Sequence, residues 1–236
     1  MFCGVIPIAR WLLISLCACA WVRASDSSTT VWTNVALRPL GGGVFQLGAL
    51  RLNKSKRAIQ FDAVANIVSE LAVEYAVVHK IGKTHETMFR TDTRAQEVHV
   101  AMLLLGAKPA MTNLFPEDLS VRPPGEPVTV EVSWKESGAA VRHPMEDLIL
   151  NRETGKSLRR GVWIYNGSNF SEGMFTAQRD GSLISIHIDP DALINNPRPG
   201  RDNDDLHVPN TKLLPPTGTK VEITIRFAGS ANEKSP

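Results

Sequence analysis

The residues best suited to chemistry cluster between positions 79 and 99. Lys83-Thr84-His85-Glu86 follows a strand-like run, His79 stands just before it, and His99 follows within a helical pattern. Neutral imidazoles and a carboxylate are ligands for zinc and similar divalent ions. His79, His85 and His99 are therefore the candidate metal set. Their spacing matches no single-helix zinc motif: Phe89 occupies the place where His-Glu-x-x-His needs its second histidine. His79 and His99 also fit half-buried packing roles. Lys83, His85 and Glu86 are the candidate ligand-binding residues, because a loop or first helical turn is where contact groups concentrate. In a hydrolase, His85 and His79 would hold a metal and Glu86 would act as general base.

A second group of oxygen donors, Asp189, Asp191, Asp202, Asn203, Asp204 and Asp205, suits calcium by type. Leu206 and His207 break the alternating pattern of a calcium loop, so a solvated loop with Asx turns is the competing reading. The sequence has no Gly-x-Gly-x-x-Gly, phosphate-binding loop or Gly-x-Ser-x-Gly elbow. Lys54, Lys56 and Arg57 make a basic turn without the stacking aromatics of a single-strand nucleic-acid site, so no nucleic-acid partner is expected.

The elements that must position these groups can be read from hydrophobic period. Val128, Val130, Val132 and Trp134 alternate with polar residues, as do Val221, Ile223, Ile225 and Phe227. Val44 to Leu52, Arg57 to Val68, Leu71 to Lys80, Val162 to Tyr165 and Leu183 to Ile188 also read as strands. Asp180-Gly181 reads as a hairpin turn. A helix is predicted over about 94–105, with Thr93 and Gln96 as a capping box, Val98, Ala101, Met102 and Leu105 as its apolar stripe, and Gly106 at its left-handed end. A second is predicted near Pro144 to Leu150. Pro116 to Pro127 and Pro190 to Thr217 read as long Pro-rich loops. The expected class is α+β: mainly antiparallel sheet, one helix and long Pro-rich loops.

The first 24 residues read as a secretory signal. Arg10 precedes an uncharged, mostly apolar run from Trp11 to Val22, and Val22-Arg23-Ala24 offers a cleavage site. The run is shorter than the roughly 20 residues that span a bilayer, so no membrane span is expected after cleavage. Losing Arg10 and Arg23 takes the formal charge of the 236-residue chain from +2 to zero. Cys3, Cys17 and Cys19, all the cysteines in the chain, would leave with the leader. Iron–sulfur and thiolate chemistry are then excluded. The alternative is a lipoprotein anchored at Cys19, since Leu16-Cys17-Ala18-Cys19 loosely follows a lipobox. The expected organisation is a signal peptide at 1–24, a flexible segment at 25–43, an α+β domain at 44–228 with a possible sub-boundary in the loop 116–127, and a disordered tail at 229–236.

Gly82-Lys83-Thr84-His85-Glu86, followed after the helix by Leu105-Gly106-Ala107-Lys108-Pro109, resembles the signature of the YdjY-domain family of exported bacterial proteins. Trp163 to Ser168, Asp189-Pro190 and Leu214 to Thr219 extend the resemblance over about Leu50 to Phe227. It implies a periplasmic or extracellular location and brings no defined activity. A ferredoxin-like label borne by some members would imply a cluster, which a chain without thiolates cannot hold. The expected function is a non-catalytic exported module that binds a small ligand or a cell-envelope protein. No cofactor is expected beyond a possible divalent metal. The metal-assisted hydrolase is the alternative.

Overall fold

The structure is a computed structural model, and it describes residues 36–67, 69–110 and 115–229. The predicted leader, its cysteines and cleavage site, and nearly all of the predicted tail lie outside the described residues. Four strands open the described chain: β1 (Leu37–Gly41), β2 (Val44–Leu47), β3 (Leu50–Asn53) and β4 (Ala58–Ala65). Next come β5 (Tyr75–His79), a 3-10 turn at Thr84–Glu86, β6 (Thr87–Thr91) and the helix α1 (Ala95–Leu104). The long strand β7 (Glu126–Glu136), β8 (Ala139–Pro144), β9 (Ile149–Asn151) and β10 (Trp163–Tyr165) follow. A small hairpin, β11 (Phe170–Ser171) and β12 (Met174–Phe175), leads into the short helix α2 (Thr176–Asp180). The last strands are β13 (Ser182–Ser185), β14 (Ile194–Asn195), β15 (His207–Pro209) and β16 (Lys220–Phe227).

Eight strands close into a barrel, in the order β4-β16-β7-β10-β14-β13-β5-β6 and back to β4. This overturns the α+β assignment. The described residues are mostly β, with 40% of them in strands and 12% helical. The pairings β5–β6 and β13–β14 are parallel, so the sheet is also less uniformly antiparallel than expected. The alternating strands predicted from sequence are real, but their apolar faces turn inward on one another. Phe61, Ile223 and Val132 form one buried row across β4, β16 and β7, and Ile59, Ile225 and Val130 form the next. Closing the sheet removes two edges that would otherwise expose unpaired backbone.

Two long strands make closure possible by changing neighbours along their length. One edge of β4 pairs with β3 at residues 58–60 and with β6 at 64–65. One edge of β7 pairs with β10 at 126–128 and with β8 at 131–136. Meanwhile β16 lies between them and pairs with both over most of its length. The β4–β6 seam is prolonged by Asn66 N–H to Met88 C=O at 2.8 Å and Ile67 N–H to Thr87 C=O at 3.3 Å.

Several local expectations are corrected. Val44 to Leu52 is a hairpin, because Gly48 at φ +56° turns the chain between β2 and β3. A side chain there would also meet Glu97, 2.5 Å from an ideal Cβ. The predicted capping box is absent: no side chain of the N-terminal residue caps α1, and the Gln96 N–H is taken by Gln178 Oε1 from α2 at 3.2 Å. Gly106 does end the helix, with Ala107 N–H to Met102 C=O and Gly106 N–H to Leu103 C=O forming a Schellman pair. Near Pro144 the chain makes a 3-10 turn, Met145–Leu148, and Gly181 is the left-handed cap of α2 rather than part of a hairpin.

The Pro-rich loops are held by buried arginines. Arg201, fully buried, donates to the carbonyls of Leu119 at 2.7 Å and Val121 at 3.0 Å, tying one loop to the other. Arg198 is buried against Glu146 at 2.6 Å and donates also to Asn196 and to the Arg159 carbonyl. These charges are buried because each has partners, as low-dielectric surroundings require. The second loop also supplies β14 to the barrel, pairing with β10 and β13.

Asn66 carries the seam and reaches the turn beyond it. Its Nδ2 donates to the carbonyls of Thr84 at 2.7 Å and Thr87 at 3.0 Å. Asn66→Ala removes both bonds. It is expected to destabilise the protein by about 1–3 kcal/mol and to speed amide exchange at residues 84–88. Unchanged exchange there would show that the seam holds without it.

Candidate functional site

The loop after β5 is forced into place by backbone packing. Gly82 lies against the end of α2, where an ideal Cβ would stand 2.7 Å from the Asp180 carbonyl oxygen. His79 N–H donates to the Gly181 carbonyl at 2.8 Å in the same contact. The following 3-10 turn then presents Lys83, His85 and Glu86 in order, with Asn66 gripping its carbonyls.

Lys83 and Glu86 face one another at 3.9 Å, and His85 Nε2 lies 3.7 Å from Glu86. The His85 side chain is 80% exposed, so it stands at the outer rim. Lys83 turns inward: its Nζ donates to Tyr75 Oη at 2.6 Å and lies 4.7 Å from the centre of that ring. The Tyr75 hydroxyl donates onward to Asp189 Oδ2 at 2.9 Å. Burial, then the charge of Asp189, hold the Tyr75 phenol well above its ordinary range, so it keeps its proton and serves as the donor. Burial also raises the Glu86 carboxyl, and neighbouring Glu74 adds to the rise, while Lys83 and His85 pull it down. The site is therefore a short chain of fixed hydrogen bonds with one carboxyl whose charge is disfavoured and one exposed imidazole.

Asp189 belongs to a wider brace. Its N–H is accepted by Asn195 Oδ1 at 3.0 Å, and Asn195 Nδ2 donates to the Asp189 carbonyl at 2.9 Å and to Asn166 Oδ1 at 2.8 Å. Asn166 donates in turn to the carbonyls of Pro190 and Ala192. The sequence motifs at Gly82–Glu86, Trp163–Ser168 and Asp189-Pro190 thus meet in space. Gly167 belongs to the same junction: its φ is +86°, and a Cβ there would sit 2.5 Å from Pro109 Cβ.

The three histidines of the candidate metal set have separate surroundings. His79 is buried, and its Nδ1 accepts from the Ile81 N–H at 3.4 Å; burial lowers its pKa. His99 packs against Phe175, with ring centres 4.9 Å apart, and its Nδ1 is hydrogen-bonded to the Tyr165 hydroxyl at 2.8 Å. Burial raises the Tyr165 phenol, so it stays protonated. Among the described residues His85 has only Glu86 beside it as an ion-pair partner. Among the described residues no group of three or more His, Cys, Asp and Glu side chains is placed to hold a metal ion. The acidic loop divides likewise. Asp189 turns to Tyr75, Asp191 lies 3.9 Å from Arg179, and Asn203 accepts from the Asp205 N–H in an Asx turn.

Tyr75, Asp189 and Glu74 complete the site, and sequence reasoning passed over their roles. Tyr75 read as one more residue on a strand face, and Asp189 as one of several loop acids. The signal available was Asp189-Pro190 beside the long loop, a fixed turn immediately after an apolar strand.

His99 gives the site's neighbourhood a pH signature. Burial lowers its pKa from 6.5 to about 4, and His207 is lowered to about 4 as well. The unfolded chain binds protons at both histidines before the folded chain does. Stability is therefore fully present above about pH 6.5 and falls as the pH drops toward 4. Urea unfolding at stepped pH should show His99→Gln recovering up to about 3 kcal/mol of that loss at pH 4. Parallel profiles for the two proteins would exclude His99 as a contributor.

No curated protein and no solved structure matches the chain. The YdjY domain family matches residues 50–226, a range that takes in the seam, the Lys83–Glu86 turn and the Asn166–Asn195 brace. The match covers most of the chain, which therefore belongs to the YdjY domain family.

Proposed function

We propose that this protein is an exported, non-catalytic module that binds a small ligand or a cell-envelope protein through Lys83, His85 and Glu86. The observation that carries the reading is the pre-formed Lys83–Tyr75–Asp189 chain with His85 exposed above it. Fixed polar groups bind with little ordering cost, because their geometry is set before the partner arrives. Lys83 already donates to Tyr75, so it contributes a held positive charge, and His85 offers the exposed contact with Glu86 beside it. The barrel behind them acts as a rigid mount. Export rests on the leader pattern at 1–24 and on the family resemblance. Cleavage after Ala24 leaves a neutral chain, and acylation at Cys19 is the alternative anchor.

A hydrolase with His85 and His79 as ligands keeps one supporting observation, the raised Glu86 carboxyl, a direction that suits a proton-transfer role. The separate surroundings of the two histidines weigh against it.

The test compares immobilised wild-type protein with a His85→Ala, Glu86→Gln double variant in cell-envelope extract. Retained proteins and small molecules are quantified by mass spectrometry. At least one component should be held by the wild type and fall about tenfold or more on the variant, the equivalent of losing one charge-assisted hydrogen bond. Equal retention of every component would remove this loop from the role. The intact mass of the natural protein distinguishes a start at Ser25 from a diacylated Cys19.

A further inference from the structure

The place where β4 leaves β3 and takes up β6 opens a cleft of about 550 Å³ on the barrel wall. Its lining follows from register. Val64 pairs with Arg90 on β6 and with Lys220 on β16. Paired residues in antiparallel strands share a face, so Arg90 and Lys220 flank Val64 on one side of the sheet, two strand spacings or about 10 Å apart. Side chains of that length can converge on one group above the valine. Asp62, two residues before Val64, lies on the same face.

The charges are only partly matched. Lys80 pairs with Asp92 at 2.8 Å, and this contact, with a weaker pull from Arg90, holds the Asp92 carboxyl below its ordinary range. Among the described residues, Arg90, Lys220 and Asp62 form no ion pair. Thr93 also lines the cleft, and its backbone N–H is held by Thr91 Oγ1 at 3.1 Å.

We infer that this cleft binds a small organic acid, with its carboxylate on Arg90 and Lys220 and a hydroxyl or amino group of the same molecule facing Asp62. An arginine fork and an ammonium suit a carboxylate. The nearby Asp62 disfavours a doubly charged anion such as phosphate and favours a ligand that also donates. The volume lies within the range of small-molecule sites. The inference is independent of the Lys83–Glu86 reading.

The probes are lactate, propionate and inorganic phosphate, titrated into the 15N-labelled protein and followed by NMR. Lactate should shift amides near residues 62–64 and 90–93 saturably, and more tightly than propionate or phosphate. Arg90→Gln should weaken lactate by about tenfold or more, and Asp62→Asn should reduce it to the level of propionate. Both side chains are exposed, so the fold should persist; Lys220→Gln is a second test of the cation pair should Arg90→Gln unfold. Tighter binding of phosphate, shifts away from the cleft, or full affinity in Arg90→Gln or Lys220→Gln would overturn the assignment. So would retention of the lactate preference in Asp62→Asn.

Discussion

The change of partner along β4 is the constraint on which the rest depends. A sheet edge cannot end in water without leaving backbone donors and acceptors to pair elsewhere. Here one strand satisfies its edge twice, first with β3 and then with β6, and the second pairing closes the barrel. Few residue pairs make that closure, so the loops around it carry much of the burden. Thr217 Oγ1 donates to the Asn66 carbonyl at 3.3 Å, and the Gly218 and Thr219 backbone bonds to Ala65 flank it. The same seam anchors the turn bearing Lys83, His85 and Glu86. Barrel closure and site geometry are one piece of structure.

The site shows how burial and hydrogen bonding divide labour. Tyr75 and Tyr165 both keep their protons because ionisation inside the protein is disfavoured. Tyr75 then donates to Asp189, and Tyr165 is hydrogen-bonded to His99. The charge of Glu86 is opposed by both burial and Glu74 and favoured by Lys83 and His85. The asparagines behind it do not titrate, so the hydrogen bond between Asn166 and Asn195 carries no charge of its own.

Much of this was legible in the sequence, and the omissions have physical causes. Phe61, Val130 and Ile223 announced themselves by alternation, because one face of each strand is inside the barrel and the other outside. Closure did not, since β14 is only two residues long and β13 pairs with β5 through irregular register. Both faces of β5 are buried, which blurs its alternation. The helix showed its apolar stripe and its glycine stop, but its true cap comes from Gln178, 82 positions away, which no local pattern encodes. The same holds for the site. Lys83, His85 and Glu86 are neighbours in sequence and stay neighbours in space, whereas Tyr75 to Asp189 is a contact across 114 positions.

The position of β16 bears on how the chain is made. It wedges between β4 and β7, whose residues leave the ribosome much earlier. Until Lys220 to Phe227 emerge, both older strands must wait with a bare flank. Any nascent or truncated chain ending short of that strand is thus an open ribbon with two adhesive borders, a natural substrate for chaperones and a source of aggregates.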